Sequence, residues 1–495
     1  MAYCIMRLVY LIILILLLPF NAKCQQFITK SIKEFGAKGN GRANDQEAFK
    51  KASAFFNKRK GNGKLVIPKG IYITGRQRFT GNEPGSDKAY AGEYALDLRG
   101  CDNMVIEGKP GAIIKNADSL RIGTFSPVTG KKFKHAMKDI NIDPVYSSYA
   151  TSAGIVIYLS ECSNISIAGL ILDGNMNGFI FGGNWGSGRN AYELIHYGIY
   201  IIDSHDITLN NCAIKNFACD GLYIANLGKE VKTFNININK VKVNYCGRNG
   251  LSWLGGENIR VTNSVFSNQG QGVVHESPAA GIDIEVENNS FCRKGYFYNC
   301  IMENNIGSAI ASGSKELSSY ILFEKCIAAS PIYYSVFVDA ASHTFADCSF
   351  YGTVLVWYKG TTGKDGTVFK RCIFEENYKG KIMYDGSYQL GAEATGVTVD
   401  SCTFKSNTIS NYFLNAHTDN CSKNNQQKIQ VNNSMFYNYG KSGFKLADKI
   451  AGIGRQTVFY NNTFYSQQSV QFLNESNTNC QADGGKNQYL PVSVN

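Results

Sequence analysis

The sequence predicts an all-β solenoid, a single-stranded right-handed parallel β-helix. Three observations predict it: a short strand unit that recurs from residue 200 onward, cysteines that keep one slot of that unit, and a second set of strands that each open on glycine.

The recurring unit is an alternating strand that runs into Asn or a charged residue, then a small residue, then x-Phe or x-Ile. It occurs as ITLNNCAI ending at Ile214 and IRVTNSVF at Phe266, and continues through Met302, Ala328, Phe350, Phe374, Phe404, Phe436 and Phe464. From Phe266 on, the spacings run from 22 to 36 residues, one coil with loops of variable length. Period-2 alternation means strands, and a short strand with one apolar face needs neighbours. Stacking coils supplies them, each strand pairing in parallel with its counterpart about 4.8 Å away. About eleven coils are expected, a rod of roughly 50 Å on that spacing.

Cys212, Cys300, Cys326, Cys348, Cys372 and Cys402 fall in the same slot, where Ser264, Ser434 and Asn462 stand in other coils. Residues of one slot stack directly, so these are expected as buried free thiols in an interior ladder. A disulfide framework fits poorly, because side chains on adjacent parallel rungs point the same way. Cys421 and Cys480, in polar loops, are the exception left open.

Nearer the start, Asn44 and Asp45 precede an apolar spacing of Ala48, Phe49, Ala52, Phe55 and Phe56. That spacing predicts an amphipathic helix over residues 45–58, placed to cap the open first coil. Ahead of it, Arg7 precedes an apolar run from Leu8 to Leu18, then Pro19 and Ala22-Lys23-Cys24, the order of a secretory signal peptide. The run is too short to span a bilayer and none like it follows. Residues 1–24 are therefore read as a signal peptide and 25–495 as one β-helix domain, a monomer that is secreted, periplasmic or on the cell surface. A lipid on Cys24 is the second choice, since Lys23 stands where a small residue is wanted.

The glycine-led strands begin at Gly198, Gly221, Gly250 and Gly281. Aligned on glycine, they send Ile199, Leu222, Leu251 and Ile282 inward, together with Ile201, Ile224, Trp253 and Ile284. The outward columns are then Tyr200, Tyr223, Ser252, Asp283 and Ile202, Ala225, Leu254, Glu285. With Glu287, the acids Asp283 and Glu285 take alternate positions of one strand, about 6.6 Å apart per step. Carboxylates so spaced divide into a proton donor and a base or nucleophile, or hold Ca2+; a solvated polar face is the bland alternative.

Asp220, immediately before its glycine at the edge of this face, joins the three acids as a candidate catalytic residue. Candidate substrate-binding residues are His196, Tyr197, Tyr200, Tyr223, Arg248, His275 and Glu276 around the strands, with Trp185 and Arg189 in a glycine-rich loop over residues 182–197. No metal-ligand set is assigned. A formal charge of +11 favours an anionic partner. Zinc patterns, recognition helices and basic stripes are missing, so nucleic acid is not expected.

The stretch from Ile32 to Phe55 (IKEFGAKGNGRANDQEAFKKASAF) and LVIPKGIYITG from Leu65 resemble the opening of the pectate-lyase-like β-helix superfamily, and HYGIYI from His196, the stretch from Asn249 and AGIDIE from Ala280 resemble secreted bacterial β-helix proteins of polysaccharide breakdown. The resemblance covers most of residues 30 to 330. It implies an exported enzyme acting on a polysaccharide, uronate-rich or sulfated. The polygalacturonase set of Asn-x-Asp, Asp-Asp, Gly-His-Gly and Arg-x-Lys is not found, nor a pectate lyase signature. Glu285-Val286-Glu287-Asn288 is similar to the Glu-x-Asp-Asn strand of iota-carrageenases, with Glu287 in place of Asp. Hydrolysis is favoured because acids outnumber basic proton abstractors. The alternatives are a lyase acting by β-elimination with Ca2+, and a non-catalytic glycan-binding or adhesive protein.

Overall fold

The computed structural model describes residues 26–81, 83, 89–132, 150–182, 195–358, 365–383, 388–392, 396–406, 412–417, 429–439, 450–453, 457–466, 481–483 and 485–491. Cys24, Cys421, Cys480, Trp185 and Arg189 lie outside them, so the expectations placed on those residues are not addressed by the structure.

The described strands build three long parallel sheets. Sheet I has fifteen strands, from Ile28–Ser31 to Gln481–Asp483, and sheet II has fifteen, from Asn40–Asn44 to Gln488–Pro491. Sheet III has twelve, from Leu96–Arg99 to Ile450–Ile453. One coil passes through all three: His196–Ile202 in sheet III, His205–Asn210 in sheet I, Ala213–Lys215 in sheet II, then Leu222–Ala225 back in sheet III one rung on. The result is a parallel β-helix. Its fifteen rungs exceed the eleven expected and make a rod of about 70 Å on the strand spacing. The extra coils escaped the repeat because other residues fill the cysteine slot there, Leu170 and Val241 among them.

What the repeat encodes is a corner between two strands rather than one long strand. Just before the slot stand Asn211, Lys240, Asn263, Asn299, Lys325, Asp347, Arg371, Ser401, Asn433 and Asn461, each with φ between 51° and 56°. This left-handed conformation turns the chain from sheet I into sheet II; Asn and Asp tolerate it best, which accounts for the Asn in the pattern. Their amides also bridge rungs, as Asn299 Nδ2 donates to Asn263 Oδ1 at 2.8 Å and Asn461 Nδ2 to Asn433 Oδ1 at 2.8 Å.

Inside the corner the six slot cysteines are buried free thiols, as are the other five described cysteines. Each slot thiol finds a carbonyl, Cys348 Sγ donating to Phe323 O at 3.4 Å, so the ladder leaves no polar cost in the core. Beside it runs a stack of rings, Phe297, Phe323, Phe345 and Phe369, with centroids 4.5, 5.0 and 5.2 Å apart, close to the rung spacing itself. Toward sheet III, Trp253 is fully buried. Its indole fits because Gly295 faces it; a Cβ there would lie 2.7 Å from the ring.

The helix spans Gln46–Lys58, and Ala48, Phe49, Ala52 and Phe56 join the same core. Asp45 does not cap it with its side chain; the carboxylate instead accepts the Lys38 and Gly39 N–H groups at 2.7 and 3.0 Å. Sequence reading did not foresee a small mixed sheet of Gln77–Phe79, Tyr90–Gly92, Arg121–Thr124, Ala150–Thr151 and Ile180–Gly182, which carries the chain toward residue 183. Among the described residues no helix is long and apolar enough to cross a membrane.

Candidate functional site

On sheet III the parity read from the glycines holds. Ile199, Leu222, Leu251, Ile282, Ile201, Ile224, Trp253 and Ile284 are all fully buried in the core. Tyr200 pairs with Tyr223, Tyr223 with Ser252, and Ser252 with Asp283, one outward column in register. Outward does not mean open, however. Tyr223 and Asp283 keep only 7% and 8% of their exposure and Ser252 none.

Asp220 is fully buried and is gripped by Arg248: Nε donates to Oδ1 at 2.8 Å and Nη2 to Oδ2 at 2.5 Å. The Asn249 backbone N–H donates to Oδ1 at 2.9 Å and the Ser252 hydroxyl to Oδ2 at 2.9 Å. Four donors on one carboxylate form the surroundings of an anion. Burial works against the Arg248 charge, but Asp220 and the adjacent Cys219 outweigh it and hold the guanidinium well above its ordinary pKa. This pair is locked together inside the protein. Asp220, expected as a catalytic residue, and Arg248, expected to bind substrate, are here each other's partners.

Asp283 is the counterpart. Burial pushes its carboxyl up to about 7; Glu285 and Asp220 add to the push, while Arg248 and a hydrogen bond from Asn249 oppose it. Asn249 Nδ2 donates to Asp283 Oδ2 at 3.1 Å and to Ser252 Oγ at 3.0 Å, and its Oδ1 accepts the Ala280 N–H at 2.9 Å. Two carboxyl groups are thus joined through Ser252 and Asn249, one held by a cation and the other able to stay protonated near neutrality.

The expectation of three acids on one strand needs correction. The strand is Ile282–Ile284, so Asp283 alone belongs to it. Beyond Ile284 the pairing with the following coil ends and the Val286 N–H donates to the Ser314 hydroxyl at 2.8 Å, while the Glu285 N–H still donates to Trp253 O on the preceding coil at 3.2 Å. Glu285 and Glu287 are exposed in that segment, and Glu287 Oε2 accepts the Tyr223 hydroxyl at 3.3 Å. Among the described residues no three His, Cys, Asp or Glu side chains converge as a group that could hold a metal ion.

Tyr200 and Tyr223 stack at 4.2 Å with planes 16° apart, and Tyr197 packs on Tyr223 at 5.1 Å. Their faces meet each other, which leaves ring edges for a ligand; Tyr197 is itself buried. His196 is not a binding residue. It is fully buried between Phe179 and Phe217, its Nδ1 accepts the Ala218 N–H at 2.9 Å and its Nε2 lies 3.1 Å from Asn116 Oδ1. Burial pushes its pKa down to about 3, so it stays neutral and structural. In the loop before the Asp283 strand, His275 is exposed, with its pKa lowered by partial burial, and Glu276 is buried.

Sequence reading missed Asn249 as a site residue, although a signal was there. Asp220 and Asn249 both stand just before a coil glycine, and two polar residues in one slot are neighbours on adjacent rungs. Two clefts lie elsewhere, one of about 440 Å³ between the helix and Tyr94, Asp97 and Arg99, the other of about 430 Å³ among Met176, Asn216, Tyr245 and Val273. Neither is lined by Asp220 or Asp283.

No family model matches the sequence, and no curated protein matches it. Solved structures do resemble it. The catalytic domain of Agl-KA aligns at 12% identity over 89% of this chain and 68% of that one, with a TM-score of 0.54. The A-module of the mannuronan C-5 epimerase AlgE6 of Azotobacter vinelandii aligns at 15% identity over 94% of this chain and 99% of that one, TM-score 0.50. Pre-mature gene product 12 of bacteriophage phi29 aligns at 14% identity over 89% of this chain and 53% of that one, TM-score 0.50, so the chain spans about half the phage protein. The fold they share with this chain is the parallel β-helix. At these identities the likeness concerns the fold alone.

Proposed function

We propose that this chain is an exported carbohydrate-active enzyme that cleaves glycosidic bonds of a polysaccharide by hydrolysis, with Asp283 as the general acid. The observation that carries the reading is the buried Asp283 carboxyl, pushed up to about 7, in one hydrogen-bonded network with Asp220, which two rungs away is tied to Arg248. A carboxyl group with that value keeps its proton at near-neutral pH and releases it to a leaving glycosidic oxygen. Glu285, exposed and next to it, is the base or nucleophile of the pair. The likeness to the module of an enzyme that acts on mannuronan agrees with a polysaccharide substrate. The net charge of +11 favours an anionic one. The apolar run from Leu8 to Leu18 supports export, and Phe49 and Phe56 support the helix as a plug of the first coil.

The test is incubation with alginate, polygalacturonate, carrageenans and neutral glucans, following both reducing ends and ultraviolet-absorbing unsaturated uronates. Reducing ends without unsaturation are expected. Unsaturated products would replace hydrolysis by β-elimination, and retention without products would make the chain a binding protein.

A further inference from the structure

We infer that Asn249 is the positioning residue of this site, whose side-chain amide fixes which oxygen of Asp283 carries the proton. The inference deepens the general-acid reading of Asp283 and rests on it. It follows from counting hydrogens. Asn249 Oδ1 accepts the Ala280 backbone N–H at 2.9 Å, a group that can only donate, so the amide oxygen and nitrogen are assigned without ambiguity. The two hydrogens on Nδ2 go to Ser252 Oγ at 3.0 Å and Asp283 Oδ2 at 3.1 Å. Ser252 has one hydrogen, and it goes to Asp220 Oδ2 at 2.9 Å. Asp220 can only accept, because Arg248 and the Asn249 backbone already donate to it.

Every bond from Asp220 to Asp283 therefore has one allowed direction. Asp283 Oδ2 always faces a donor, and the proton resides on Oδ1. Ser252 has no hydrogen left to give to Asp283. The network is sealed: Asn249 is 1% exposed and Ser252 not at all, so solvent does not replace a lost bond without a rearrangement. The groups that face Asp283 are Glu285 on its own segment, Arg248, Asp220 and Asn249 from the two preceding coils, and Cys292 at the start of the next sheet I strand.

Infrared titration of the full-length protein without substrate, with the Asp283→Asn spectrum subtracted, reads the Asp283 carboxyl directly. In Asn249→Ala the carboxylate loses a charge-assisted donor, so its midpoint is expected to rise by about one pH unit or more. With an active substrate, the alkaline limb of the pH–turnover profile should rise with it, while turnover falls roughly tenfold at unchanged KM. Asn249→Asp keeps the shape and removes both donors; it covers the case in which the alanine variant fails to fold, and its shift is upward again. Ser252→Ala leaves the anchor at Ala280 and the bond to Asp283 in place, so the midpoint should move by less than about 0.3 of a pH unit. A midpoint unmoved in both Asn249 variants, or moved equally by Ser252→Ala, overturns the inference. Undiminished turnover in Asp283→Asn would instead remove the general acid, and the titration distinguishes that failure from this one.

Discussion

The corner between sheets I and II and the outer face of sheet III are built from the same coils, yet they treat their registers differently. At the corner the chain repeats itself: a left-handed residue, a small buried side chain, a ring stacked on the next ring. On sheet III the outward column changes along the rod, from Tyr200 and Tyr223 to Ser252 and then Asp283. A column of like residues satisfies itself by stacking, and each rung repeats the stabilisation of the last. A column of unlike residues buries groups that need particular partners, and Asp283 is buried at a cost its neighbours only partly offset. Substitutions in the first region should therefore cost stability and spare function. In the second they should do the reverse.

The sharpest contrast is expected from Asp283→Asn. General acid catalysis contributes roughly 10² to 10⁴-fold, so turnover on a cleaved polysaccharide should fall by that order with little change in KM. Stability should move the other way. The folded pKa of Asp283, about 7, lies above its ordinary value of 3.8, so its favourable contribution is complete below that ordinary value and is lost as pH rises through about 7. At pH 8 the amide variant should be more stable by a few kcal/mol in denaturant unfolding.

The corner should answer oppositely. Phe345 is fully buried, with Phe323 and Phe369 stacked on either side at 5.0 and 5.2 Å. Phe345→Ala should lower unfolding free energy by about 3 to 5 kcal/mol and leave kcat/KM unaltered. A loss of activity at unchanged stability would break the division between the two regions.

Smaller effects come from the buried histidines. Burial lowers His196 to about 3 and His343 to about 4, below the ordinary 6.5. Groups depressed in this way contribute fully above 6.5, and the contribution is lost as pH falls toward those values. Thermal scans should show stability falling below about pH 6.5, by about 3 kcal/mol at pH 4 for His196 alone. His196→Gln should flatten that slope, and an unchanged slope would contradict the neutral assignment.

The two regions also differ in how far they could be read in advance. Periodicity reports which side of a strand a residue takes, so the inward columns, the outward column and the cysteine ladder were all legible. The same alternation does not report where a strand ends. Glu285 and Glu287 continue the parity of Asp283, but the pairing with the following coil stops at Ile284, beyond which the Ser314 hydroxyl takes the Val286 N–H. Nor does it report pairing between coils. Arg248 and Asp220 stand 28 positions apart, and only the rung spacing brings them together. His196 stands at the start of a strand with no pattern to mark it as enclosed. Phe179 and Phe217, which enclose it, come from two other segments of the chain.

The central claim is that one carboxyl on this face holds its proton near neutrality, and an infrared titration of the wild-type protein tests it most directly, with Asp283→Asn as the reference. A protonated carboxyl band assigned to Asp283 should persist through pH 6 and disappear around pH 7. Disappearance of that band near the ordinary value of 3.8 would mean that the face bears only ionised carboxylates, and the assignment of Asp283 as a general acid would be contradicted.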